Sequence, residues 1–201
     1  NWWMSGTGRW WDWDTGGTGN LDDPVAGNST SLAEVGDPIR AIFPLHSGLA
    51  IGCRQNIYVL TDDPMVDTAQ LLPLSDTVGI VGPNAYCHAA NKALFFFAYD
   101  GLYRLQPNDY NVDKNERVSL GRLDKEFSQI DHGTYTIQMV YDHILFGVHI
   151  FLISVNQPSL PVKQYFYDDR NDSFWPIEYP EAVGPSYGYY YTSPNLNDRA
   201  M

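Results

Sequence analysis

Two stretches of this sequence lie on one another without a gap. They are IRAIFPLHSGLAIGCRQNIYVL, Ile39 to Leu60, and NAYCHAANKALFFFAYDGLYRL, Asn84 to Leu105, and the offset is 45 residues throughout. Leu49 falls on Leu94, Ile51 on Phe96, Ile57 on Leu102, Tyr58 on Tyr103 and Leu60 on Leu105. Each copy holds three strand-sized apolar runs divided by short polar turns. The turns are His46-Ser47-Gly48 and Arg54-Gln55-Asn56 in the first copy, Asn91-Lys92 and Asp100-Gly101 in the second. A fourth run follows each copy, AQLLPLS after the first and ERVSLG after the second. Four short antiparallel strands make a twisted sheet with two apolar faces, and a single sheet cannot bury both. Copies stacked about an axis bury those faces and leave only short edges open. A four-stranded unit returning every 40 to 50 residues or so is the sequence mark of a β-propeller. A two-sheet sandwich shows no such period. The expected fold class is therefore all-β, a β-propeller built from four-stranded antiparallel blades.

Gly-Pro pairs punctuate the repeat. VGDP precedes the first copy at Val35 to Pro38, VGP precedes the second at Val81 to Pro83, and VGP returns at Val183 to Pro185. That last interval is two units long. The start between them falls near DHGTYTIQMVYD, Asp131 to Asp142, where the pair is missing. A third unit then reads YTIQMVYD, HILFGVHIFLISV, VKQYFYDD and SFWPIEYP. The expected blades are 37–80, 82–121 and 132–180, with partial blades at 1–35 and 183–201, in one propeller region over 1–201. A connection at 106–132 is inserted between the second and third blades. Its polar part, QPNDYNVDKNER, reads as a surface loop. LDKEFSQI, Leu123 to Ile130, has helical spacing at Leu123, Phe127 and Ile130.

The tryptophan-rich GRWWDWDTGGTGN, Gly8 to Asn20, reads as architecture in the same frame. Strand alternation sends Trp11 and Trp13 to one face and Trp10 and Asp12 to the other. SFWPIEYP has a similar alternation near the end of its unit, so the opening tryptophans are expected on an outer strand, packed on a neighbouring sheet. TGGTGN lacks the strand–loop–helix setting of a phosphate cradle. The chain begins at Asn1 inside this strand-like pattern rather than at Met, which reads as a piece of a longer polypeptide or a processed start. The two terminal parts could join to close a four-bladed ring, or the chain could belong to a larger propeller or pair with other polypeptide.

Composition bears mainly on partners. The 24 acidic residues against 12 basic give a net charge of -12, which repels phosphate backbones and speaks against a nucleic-acid reader. Such a surface could still line a passage along which DNA slides without sticking. Cys53 and Cys87 lie in different expected strands without CxxC spacing and read as free buried thiols. No run of 18 or so apolar residues suggests a membrane span.

The residues offer little chemistry. Histidines 46, 88, 132, 143 and 149 are scattered without carboxylates or cysteines at ligand spacing, so no metal and no cofactor is expected. Asp12, Asp14, Asp22 and Asp23 surround glycines but lack the order of a calcium loop, and turn capping accounts for them. The pairs Asp62-Asp63 and Asp168-Asp169 fall in expected turns, where carboxylates are solvated. No G-x-S-x-G elbow is present. DWDTGGTGN has the Asp and Gly of the turns of propeller sialidases but not their Ser and closing Trp. No catalytic residue is expected. One aromatic cluster, YGYYYTSP, offers Tyr187, Tyr189, Tyr190 and Tyr191 as a candidate interaction surface able to stack on sugar rings, with burial under the next unit as the rival reading.

Taken in order, NWWMSGTGRWWDWD, VGDPIRAIFPLHSGLAIGCRQNIYVLTDDP and VGIVGPNAYCHAANKALFFFAYDGLYRL resemble the β-propeller region of tailed-bacteriophage virion proteins, most of all the tail nozzle (tail tubular) proteins of short-tailed phages. The late hairpin from Tyr167-Asp168 to Trp175 is similar to that family's closing Y-D…W element. The likeness covers most of residues 1–180. DDP stands where the family has Gly-Asp-Pro, and the insertion at 106–132 departs from its pattern. The resemblance implies a structural role without catalytic residues, in a homo-oligomeric ring of a virion tail, assembled in the host cytoplasm. Its partners would be other virion proteins, with passive contact to exiting DNA. The alternative is a propeller that binds a carbohydrate or receptor for host recognition.

Overall fold

The structure is a computed structural model, and it describes residues 2–4, 25–27, 37–45, 48–62, 69–106, 116–155, 163–179, 185, 188, 191–192 and 199–200. These residues are all-β apart from one short helix. Two strands, β1 (Trp2–Met4) and β2 (Val25–Gly27), pair near the start, and β15 (Tyr191–Thr192) and β16 (Arg199–Ala200) pair near the end. Between them lie three four-stranded antiparallel meanders. Sheet 1 is β3 (Ile39–Leu45), β4 (Gly48–Cys53), β5 (Ile57–Leu60) and β6 (Leu71–Ser75). Sheet 2 is β7 (Tyr86–His88), β8 (Leu94–Ala98), β9 (Gly101–Leu105) and β10 (Glu116–Arg117). Sheet 3 is β11 (Tyr135–Asp142), β12 (Gly147–Ser154), β13 (Lys163–Asp168) and β14 (Ser173–Ile177).

The 45-residue offset carries β4 onto 93–98 and β5 onto 102–105, which are nearly the spans of β8 and β9. Lys92 takes a left-handed φ of 66°, and Gly101 a φ of 147° that suits only glycine. The hydroxyl of buried Ser119 fills the space where a Gly101 side chain would begin, and it accepts a hydrogen bond from the Leu102 amide at 3.2 Å.

β8 is buried along its whole length, which requires cover on both faces of sheet 2. Opposed residues of an antiparallel pair share a face. Tyr86, Phe96 and Tyr103 are mutually opposed, and their face meets sheet 1 through Phe43, 5.0 Å from Tyr86 between ring centroids. Cys87, Phe95 and Arg104 are likewise opposed and point the other way. There Phe95 lies 6.1 Å from Tyr141 and 5.8 Å from Tyr167, both of sheet 3. Arg104 joins Asp169 of the β13–β14 turn at 2.9 Å. The sheets thus stack in chain order, 1 on 2 on 3, around one apolar cluster. Their first strands adjoin: Phe43 of β3 packs on Tyr86 of β7, and β7 lies beside β11, with the Met139 amide donating to the Asn84 carbonyl at 3.0 Å.

The helix α1 (Asp124–Ser128) has no side-chain cap and is too short to persist alone. Phe127 holds it. That ring is fully buried, 4.9 Å from Phe97 of sheet 2 and 5.2 and 5.7 Å from Tyr165 and Phe174 of sheet 3. The expected surface loop of 106–117 ends in β10, whose Glu116 and Arg117 oppose Arg104 and Tyr103, while 107–115 lie outside the described residues.

Candidate functional site

The convergence of the first strands forms a cleft of about 560 Å3. β3 contributes Ile39 and Arg40, the loop before β7 contributes 81–84, and β11 contributes 135–138. His132 and Val155 complete the lining. Arg40 is placed by a β-bulge. Ile39 opposes Cys53 but Ala41 opposes Gly52, so Arg40 is the extra residue, and a bulge re-aims its side chain. Among the described residues, two lining side chains carry buried polar atoms without a hydrogen-bond partner, Nδ1 of His132 and Oε1 of Gln138. Burial lowers the pKa of His132 below its ordinary value, against the opposing pull of Asp131, and its ring meets Tyr99 edge-on at 4.8 Å. The Asp131 carboxylate is occupied by the Thr134 hydroxyl and the Gly133 amide, at 2.7 and 2.9 Å, which hold its pKa down.

A second polar assembly lies on the face of sheet 3 turned away from sheet 2. The Tyr179 hydroxyl donates to Oε1 of Gln164, so the Gln164 amide nitrogen faces Nδ1 of His149, at 2.8 Å. Nδ1 therefore accepts, and the hydrogen of the neutral ring sits on Nε2, 3.6 Å from Oδ2 of Asp142. Asp142 is fully buried, and its Oδ1 accepts from the Ile144 and Leu145 amides at 2.7 and 2.9 Å. Phe166 and Phe151 flank the imidazole at 4.8 and 6.1 Å. Burial lowers the His149 pKa despite Asp142 beside it. Nδ1 is taken by Gln164, while Nε2 is buried facing Asp142 without a hydrogen bond among the described residues. Asp142 in turn ties the β11–β12 turn through the Ile144 and Leu145 amides.

Asp168 ends β13 and Asp169 opens the β13–β14 turn. Burial pushes the Asp168 pKa up, but hydrogen bonds from the Arg170 and Asn171 amides and the Asn171 side chain outweigh it, so the carboxyl titrates below its ordinary value. Asp172 is held down chiefly by Arg122, which grips it with both terminal nitrogens, and it also accepts from the buried Tyr167 hydroxyl at 2.8 Å. The Arg122–Asp172 pair joins sheet 3 to the segment before α1, while the Asp168 bonds close the turn itself. Cys53 and Cys87 are free and buried, and burial pushes both thiols up. His143 falls in the turn between β11 and β12, away from the strand row of His149. Among the described residues, no three His, Cys, Asp or Glu side chains gather as metal ligands, and no helix is long and apolar enough to cross a membrane.

The tyrosine surface cannot be placed in this geometry: Tyr187, Tyr189 and Tyr190 lie outside the described residues, and only the backbone of Tyr191 is described, in β15. His46, Asp63 and the aspartates at 12, 14, 22 and 23 also lie outside them. The cleft and the Asp142–His149–Gln164–Tyr179 chain escaped sequence reasoning. One signal was present: at the offset of 45, Arg40 falls on Ala85, a charge where the repeat has a small apolar residue. Compared with known proteins, the chain matches no family profile and no curated relative.

Proposed function

We propose that this chain is a portion of β-propeller in the tail of a tailed bacteriophage, similar to the nozzle proteins, acting as a non-catalytic assembly platform within a homo-oligomeric ring. The stacking order is the observation that carries the reading. Three meanders follow one another in space as in sequence, each packed face to face on the next, with their first strands together. Radial repetition of such meanders is propeller geometry. Both ends of the row fit a further blade or subunit. The outer face of sheet 1 leaves Ile42 57% and Leu49 40% exposed, and that of sheet 3 leaves Trp175 60% exposed. An acidic platform also suits a path along which DNA passes without binding.

Electron microscopy of tails from a phage encoding this chain tests the assignment. Density for the three meanders in a ring around the exit path supports it. A basic lumen, or tails that lack the chain, would refute it.

A further inference from the structure

We infer that the cleft between β3, β7 and β11 is a binding site for a small organic carboxylate, with the Arg40 guanidinium as its anchor. The inference is independent of the virion assignment. Three features of the cleft support it. The first is charge. In a chain with 24 acidic residues, none of the residues described as lining this cleft is acidic, and Arg40 is their one cation. Arg40 is exposed and, like Arg54, which lies over the Tyr99 ring, makes no ion pair among the described residues, whereas Arg104, Arg117, Arg122 and Arg170 do. The second is placement. The bulge takes Arg40 out of strand register at the one end of β3 where the three sheets meet, and the repeat supplies no packing reason for a charge there. The third is unmet hydrogen bonding. Nδ1 of His132 is buried without a partner among the described residues and can donate to a carboxylate as the Nδ1–H tautomer, and the exposed amide of Asn84 adds a second donor to the lining. Buried polar atoms are ordinarily satisfied, by protein, water or ligand.

The chemistry follows from the lining. A guanidinium forks onto a planar carboxylate through two parallel hydrogen bonds. A single cation matches a single negative charge better than a phosphate dianion. Ile39 and Val155 are exposed, at 53% and 59%, and with Val81 they give a hydrocarbon tail apolar surface to cover. A volume of about 560 Å3 is that of a small-molecule site.

Titration of the isotope-labelled 201-residue chain with butyrate, followed by amide NMR shifts, tests the site. Saturable shifts at 39–41, 82–84 and 136–138 are expected. Butanol, butylamine and inorganic phosphate should each bind at least about tenfold more weakly. Arg40→Ala should weaken butyrate at least about tenfold, Arg40→Lys should restore part of it, and Arg170→Ala should change nothing. Arg40 is exposed, so its variants keep the fold, and their unperturbed spectra elsewhere verify this. Shifts that do not saturate, Arg40→Ala binding as the parent does, or phosphate or butanol binding as tightly as butyrate would each overturn the inference.

Discussion

Replacing Phe127 by Ala examines whether α1 ties sheets 2 and 3 together. The ring is fully buried and touches aromatic side chains from three strands, β8, β13 and β14. Removing a buried Phe costs about 3–5 kcal/mol, because the transfer energy of the ring is lost and the surrounding rigid strands cannot collapse into the void. The three edge-on ring contacts place the cost toward the top of that range, since such pairs contribute about 0.5–1.5 kcal/mol beyond burial. α1 spans five residues without a side-chain cap, so it has no independent means of staying folded once its anchor is gone. For a chain of this length the loss corresponds to a fall in Tm of about 6–20 °C. Urea unfolding followed by tryptophan fluorescence gives the free energy, and hydrogen exchange at the Phe127 amide, which donates to the Leu123 carbonyl, reports the helix. Leu120→Ala is the control: Leu120 is 65% exposed and should change stability by less than about 0.5 kcal/mol. A cost for Phe127→Ala below about 1 kcal/mol, or equal to that of Leu120→Ala, would mean that the helix only rests on the sheets.

Three further outcomes are expected. Gly101→Ala forces a side chain into a φ of 147° and onto the Ser119 hydroxyl, and should cost about 2–4 kcal/mol; Gly121→Ala, at a φ of 75° but in open space, should cost only about 1 kcal/mol, both read from urea midpoints. His88, His132 and His149 all titrate below their ordinary value of 6.5 in the folded chain, mainly through burial, so the unfolded chain binds more protons as pH falls through 6.5. Stability should therefore fall between about pH 7.5 and pH 5.5, and His149→Gln should flatten that slope; a flat parent profile would contradict the burial of these rings. Cys53 and Cys87 should resist a thiol reagent in the native chain and react on unfolding, because burial disfavours both thiolates; fast native labelling of Cys87 would contradict its position inside sheet 2.

The meanders were legible in the sequence because their causes are local. Alternation with period two, a Gly or Asn-Lys turn and an apolar run of four to eight or so residues are properties of neighbours along the chain. The spans of β4 and β5 and of β8 and β9 could therefore be read from an offset of 45 alone. So could α1, whose Leu123, Phe127 and Ile130 share a helical stripe. Only the tertiary structure decided which faces meet. Phe127 has the same local signal whether it wedges between two sheets or lies on one. Nothing adjacent to Gln164 in sequence announces that its amide will lie between His149 and Tyr179. The cleft is the extreme case. Arg40, Asn84, His132 and Gln138 come together because three sheets stack with their first strands adjoining and a bulge turns one residue out of register. Short-range physics sets the strands, but such a site depends on contacts between residues some 40 to 100 positions apart, which exist only once the apolar faces have found one another.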